Sequence, residues 1–205
     1  MNAAELLHRI VDAWHRTPGA EDATARRVLD AATRQLELFG IQRTTMEDVA
    51  RRAGVSRVTV YRHYENKDAL VEAVVLDQTR QFLDELGRFV DGFDDDVDRI
   101  VEGCVFTVTR LRGHTLLRRL LEGEPELFLP QLTTGAAPLI AMARSLVVRY
   151  AKPRLKLPPD DLALGAELGI RLMISLILTP ETIIDLEDEA RLRAVAERFV
   201  PLLMR

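Results

Sequence analysis

Residues 44–67 read TTMEDVARRAGVSRVTVYRHYENK, and this stretch decides the fold of the chain. Met46, Val49, Ala50 and Ala53 recur at helical spacing and give a first short helix one apolar face. Gly54 follows directly, where a helix commonly ends on a residue at positive φ that only glycine adopts cheaply. Ser56 stands where the next helix needs a side-chain oxygen to accept from its orphan amides. That second helix, from about Arg57 to Tyr64, is too polar and too basic to be core. Two helices joined by three or four residues containing Gly form a helix-turn-helix, whose second helix enters the DNA major groove.

Composition fits such a reading once charge is split by region. The 205 residues are 47% hydrophobic and 29% charged, as in an ordinary globular protein, and carry a net charge of −4. Between Arg43 and Lys67 the basic residues are Arg43, Arg51, Arg52, Arg57, Arg62 and Lys67, against Glu47, Asp48 and Glu65, so this segment holds +3 and the remainder −7. A basic head on an acidic body is what a DNA binder shows. Cys104 is the one cysteine, which excludes an internal disulfide and a cysteine-based zinc site and fits a reducing cytoplasm. No charged-then-apolar leader is visible, so secretion is not expected. The apolar run Leu162 to Leu178 contains Glu167 and Arg171, which argues for a buried helix rather than a membrane span.

Working outward, Leu7, Ile10, Val11 and Trp14 share a face of an N-terminal segment that Thr17-Pro18-Gly19 breaks. A helix is predicted from Asp22 to Phe39, ended by Gly40, to back the helix-turn-helix. Thr44 and Thr45 can each cap the next helix, since Glu47 and Asp48 stand at the matching capping-box offset. Asn66 caps a long helix from Lys67 to about Val90. Further helices are predicted at Val97–Arg112, His114–Leu121, Ala136–Tyr150, Leu162–Leu178 capped by Asp160 and Asp161, and Asp188–Met204. An irregular stretch with Pro125 and Pro130 is expected between two of them. The fold class is therefore all-α, with about nine helices beyond the N-terminal arm and no strand.

The wording of the head goes further. Residues 39–70, FGIQRTTMEDVARRAGVSRVTVYRHYENKDAL, resemble the DNA-binding domain of the TetR family of transcriptional repressors. The matching features are Phe39-Gly40, the paired threonines, Val49-Ala50, Ala53-Gly54-Val55-Ser56, Thr59, Tyr61, His63 and Lys67. Val58 departs from the pattern, because relatives often carry a small residue or proline there. The resemblance implies a three-helix DNA-binding domain at 21–66 after an arm at 1–20. It also implies a helical-bundle domain for ligand binding and dimerisation at 67–205.

It further implies that Thr45, Thr59, Tyr61, His63 and Lys67 hold the DNA backbone. Thr45 and Lys67 also stand at helix starts, where hydroxyl, ammonium and free amides reach phosphate oxygens. Arg57 and Val58 open the recognition helix, where an arginine can grip guanine and a valine can touch a thymine methyl. Arg43 reaches either the minor groove or a phosphate. Thr44, Ser56 and Arg62 complete the DNA-facing candidates. Of Tyr61 and Tyr64, three residues apart, Tyr64 is the one expected in the core. His63 is alternatively a surface residue, and Arg51 and Arg52 a solvated face.

A recognition helix covers few base pairs, so such heads act as symmetric dimers on half-sites about one helical turn apart. The apolar helix 162–178 needs cover on every side, and the family's usual four-helix interface would pair it with 188–204. Candidate interface residues are Gly165, Leu168, Gly169, Leu172, Leu176, Leu192, Val195 and Phe199, with the two glycines permitting close approach; burial within one chain is the alternative. Cys104, Phe106, Thr109, Leu117, Leu120, Phe128, Leu132, Met142 and Leu172 are candidates to line the family's ligand cavity, though each also suits plain core.

The function implied is a repressor in the cytoplasm, released from a palindromic double-stranded operator by a small, mainly apolar effector. No cofactor, metal or membrane partner is expected. The competing readings are an all-α enzyme or binding protein with its own pocket, and a helix-turn-helix used for protein contact. No HExxH, phosphate-cradling glycine loop or supported Ser/His/Asp arrangement favours the enzyme.

Overall fold

The structure, a computed structural model, describes residues 23–123, 125–151, 156–179 and 182–203. The amphipathic N-terminal segment lies outside the described residues. Among those described there is no strand, and ten helices follow one another. They are α1 Ala23–Arg43, α2 Met46–Ala53, α3 Arg57–His63, α4 Lys67–Val90 and α5 Asp96–Arg112, then α6 Thr115–Gly123, α7 Pro125–Leu132, α8 Ala137–Ala151, α9 Pro159–Leu178 and α10 Glu189–Leu203.

The chain divides into two compact units. One holds the residues up to Gln81 together with Thr115–Gly135; the other holds Phe82–His114 and everything from Ala136 onward. The division falls inside α4, not at its first residue.

In the first unit α1 packs against α2 and α6, and α2 against α3. Val28, Leu29, Ala32 and Leu36 of α1, Met46, Val49 and Ala50 of α2, Val60 of α3 and Leu70, Val71 and Val74 of α4 are all buried and supply the apolar core of this unit. Burying a side chain of this size stabilises by roughly 1.5–3 kcal/mol. Gly40, at φ 75° and ψ 178°, breaks helical geometry near the end of α1 in a region that only glycine adopts without strain.

In the second unit α5 packs against α9 and α10, and α8 against α9. Val105 and Val108 of α5 form a core with Leu186 and Leu192, onto which Met173, Leu176, Ile184 and Ala196 close. Phe82, Phe106, Phe89 and Phe93 contact one another in that order, with Phe89 stacked on Phe106 at 4.9 Å between centroids and meeting Phe93 edge to face. Arg193 of α10 grips Glu102 of α5 through two bonds of 2.5 and 3.0 Å, and this pairing holds the Glu102 carboxyl below its ordinary range.

Two local expectations are corrected. The stretch with Pro125 and Pro130 is helical: Pro125 occupies the first position, where no amide is needed, and Pro130 falls in the final turn. Helix α9 begins at Pro159 with no side-chain cap, and Asp160 and Asp161 sit in its first turn. There they favour the positive end of the helix dipole instead of bonding to amides.

Candidate nucleic-acid interface and ligand cavity

The turn between α2 and α3 is fixed by local chemistry on both sides. Thr45 has extended backbone and accepts from the Asp48 amide at 3.1 Å, while its hydroxyl donates to the Asp48 carboxylate at 2.6 Å. At the other end, Gly54 takes the left-handed conformation at φ 65°. A Cβ there would also stand 3.3 Å from the Arg27 guanidinium. That guanidinium donates to the Ala53 carbonyl at 2.7 Å, bringing a cation from α1 to the negative end of α2. Ser56 then caps α3, accepting from the Thr59 amide at 3.1 Å and sharing a proton with the Thr59 hydroxyl at 2.8 Å. Asn66 caps α4 through the Ala69 amide.

With its ends set, α3 turns Val60 fully inward and leaves Arg57, Val58, Tyr61 and Arg62 exposed. Val58 is 78% exposed, which a folded chain has no intramolecular reason to do with a branched aliphatic side chain. Arg57 lies over the Tyr61 ring, 5.4 Å from its centroid, and donates toward the phenol oxygen at 3.5 Å. His63 and Tyr64 are half-buried, with ring centroids 6.5 Å apart.

The remaining candidates divide sharply. Thr44 is 2% exposed and donates its hydroxyl to the Gly40 carbonyl at 2.7 Å, so it is a structural residue and not part of the DNA-facing surface. The capping position belongs to Thr45 alone. Lys67 is half-buried and donates to the Ile41 carbonyl at 3.1 Å, which uses one of its three protons. Arg43 is exposed and lines a polar concavity with Phe39, Arg51 and Arg52. Arg51 pairs with Asp48 and Arg52 with Gln35, so these two are tied down within the head.

The second unit contains a cavity of about 270 Å³ between α4, α5, α8, α9 and α10. Its walls are almost wholly aliphatic, and Arg99, Cys104, Thr107 and Asp161 are its polar lining residues. The Thr107 hydroxyl is spent on the Gly103 carbonyl. The apolar surroundings push the Cys104 thiol up to about 11, so it stays protonated at neutral pH.

Of the residues expected to line a cavity, Cys104 alone lines this one, and Gly165 and Gly169, expected at a dimer interface, line it as well. Phe106 stacks on Phe89 and lies tilted against Phe82 instead, and Thr109 is exposed. Leu117, Leu120, Phe128 and Leu132 belong to the first unit. Met142 is half-buried outside the lining, and Leu172 points to solvent at 46% exposure. The outward face of α9 carries Leu164, Leu168 and Leu172 one turn apart, and Phe199 of α10 is exposed as well. Leu176, Leu192 and Val195 are turned into the unit instead: Leu192 is core, Leu176 packs on it, and Val195 is half-buried. Leu164, the most exposed of the stripe, was missed because periodicity gives spacing but not which face a neighbour covers.

Among the described residues no group of three or more His, Cys, Asp or Glu side chains converges to hold a metal ion, and no helix is long and apolar enough to cross a membrane.

Comparison with known proteins bears on the same residues. Residues 28–74, which contain α2, α3 and the start of α4, match the family of bacterial regulatory proteins called tetR. An uncharacterised HTH-type transcriptional regulator of Mycobacterium tuberculosis is 30% identical over 190 residues, spanning 89% of this chain and 86% of that protein. The chain belongs to the TetR family. A second regulator of this type from the same organism is 34% identical over 101 residues, 49% of this chain and 51% of that protein, so the match spans about half of that relative's length. Among solved structures, the TetR family repressor AlkX from Dietzia sp., implicated in biodegradation of n-alkanes, superposes with a TM-score of 0.65. It is 26% identical, and the alignment covers 86% of this chain and 96% of AlkX.

Proposed function

We propose that this TetR-family protein is a sequence-specific repressor that binds a palindromic duplex operator as a homodimer and leaves it when a small apolar effector fills the cavity. The observation that carries the reading is the exposed edge Arg57, Val58 and Tyr61 on a helix whose entry is fixed by Ser56 and Gly54. Residues 21–66 are then the DNA-reading domain and 67–205 the regulatory one. Arg57 pairs with guanine and Val58 meets a thymine methyl, while Thr59, Tyr61, His63, Arg62 and the two unused protons of Lys67 serve phosphates. Thr45 contributes by holding α2 in register; its hydroxyl reaches phosphate only by giving up Asp48. The protein works where the chromosome is, in the cytoplasm, and its role is regulatory and not enzymatic.

The apolar stripe Leu164, Leu168 and Leu172 with Phe199 is the surface on which a second copy sits. Effector release needs the ligand to favour the state that binds DNA less well, in which the two heads are spaced wrongly for the half-sites. The apolar cavity suits a ligand of low polarity, and AlkX's link to n-alkanes points the same way.

The test is duplex binding by Arg57→Ala and Lys67→Gln. Arg57→Ala should relax preference at one base pair in each half-site, by roughly the 1–3 kcal/mol that a bidentate arginine supplies. Lys67→Gln keeps a donor for Ile41 but should flatten the salt dependence by about one counterion per head. Unaltered base preference in the first, or an unaltered salt slope in the second, removes the role given to that residue.

A further inference from the structure

The cavity owes its space to missing side chains. Gly87, Gly103, Gly165 and Gly169 all line it, from α4, α5 and α9. They are not equivalent. A Cβ on Gly103 would come within 3.3 Å of Val90, so that glycine serves close packing of α4 against α5. A Cβ on Gly169 meets no atom within 4 Å. Among the described residues no atom crowds a Cβ at Gly169, and a glycine inside a helix carries a conformational cost relative to alanine. Gly165 and Gly169 lie one turn apart, about 6 Å along the axis, so together they bare a flat strip of α9 backbone at the cavity wall.

The polar groups limit what can lie on that strip. Arg99 faces Asp96 at 3.5 Å, and Asp161 adds a carboxylate to the lining, so the lining carries no excess charge. Thr107 has given its proton to Gly103, and Cys104 is a weak donor at most. An anion entering the cavity would have to compete with Asp96 for the Arg99 guanidinium, and an ion buried without a partner is costly. The volume of about 270 Å³ is somewhat under twice the roughly 150 Å³ of a cavity that takes up benzene.

We infer that the cavity binds a neutral, hydrocarbon-rich body of about ten carbons, lying flat against the Gly165–Gly169 strip of α9, and that Gly169 is the residue that admits it. This inference rests on the reading of the cavity as the effector site and supplies that ligand's class.

The test titrates full-length protein with 1-aminonaphthalene, a neutral two-ring fluorophore, and with 1-naphthoate, its anionic counterpart of similar size. The wild type should bind the neutral probe at one per chain and the anion at least about tenfold more weakly. Gly169→Leu should weaken the neutral probe at least about tenfold without lowering the thermal midpoint, because the new side chain enters empty space. Gly169→Ala is the milder control for folding; it should raise the midpoint and weaken the probe measurably. No binding of the neutral probe by the wild type, equal or tighter binding of the naphthoate, or undiminished binding by Gly169→Leu each overturns the inference. Measuring DNA affinity with and without probe separates the two readings: saturation of the cavity with no change in DNA affinity sinks the effector role and leaves the ligand site standing.

Discussion

Replacing Thr44 by valine separates the structural role of the first of the paired threonines from a role in binding DNA. The side chain is 2% exposed and its hydroxyl donates to the carbonyl of Gly40, itself buried, at 2.7 Å. Valine keeps the branched shape and exchanges the hydroxyl for a methyl, so packing is nearly conserved while the Gly40 carbonyl loses this donor. A lost hydrogen bond of this kind costs about 1 kcal/mol, rising to about 3 kcal/mol if the carbonyl finds no substitute. For a chain of this length each kcal/mol moves the thermal midpoint by about 2–4 °C. The expected fall is therefore about 2–12 °C, measured by far-ultraviolet circular dichroism. Duplex affinity, measured well below that midpoint, should stay within about twofold of wild type. An unmoved midpoint together with a tenfold loss of DNA affinity would refute the reasoning and return Thr44 to the DNA surface.

Two further outcomes follow from the second unit. Leu168→Glu places a charge in the exposed stripe of α9, so sedimentation should find the variant at the single-chain mass of 23.1 kDa and the wild type at twice that; equal masses for both reject the stripe as the dimer surface. Cys104 links stability to alkaline pH. Its folded value of about 11 lies above the ordinary 9.0, so the native state holds the thiol proton longer and its contribution is complete below pH 9. That contribution is lost between about pH 9 and pH 11, at roughly 1.4 kcal/mol per pH unit. Thermal midpoints of Cys104→Ala should therefore fall less steeply across that interval than those of the wild type, and parallel curves would show that the thiol is not shielded.

The head was legible because its signals are local. Ser56 and Asn66 accept from amides three residues on, Gly54 donates to carbonyls three and four residues back, and apolar spacing along one short helix suffices to tell its faces apart. Thr44 and Thr45 were not separable by such signals, since both carry a hydroxyl and both have an acid three residues on. What separates them is Gly40, whose reversed backbone brings its carbonyl under Thr44. Arg27 on the Ala53 carbonyl and Lys67 on the Ile41 carbonyl each span 26 residues, beyond any pattern in sequence.

The body was legible as helices but not as a site. An apolar side chain on a helix reads the same whether it fills a core, as Leu120 does, or borders a void, as Ile170 does. Gly165 and Gly169 illustrate the limit most clearly. Their spacing suggested close approach of a second helix, whereas their bare backbone faces the cavity. The missing atoms that make a cavity leave no positive mark in a sequence.

The central claim is that α3 reads DNA sequence. Its most direct test is the affinity of the purified protein for a duplex selected from a random pool, against a scrambled duplex of equal length, over a salt series. A reader of base edges should prefer the selected duplex by about a thousandfold or more, with affinity for both falling steeply as salt rises. Equal affinity for the two duplexes, or affinity indifferent to salt, would contradict the account.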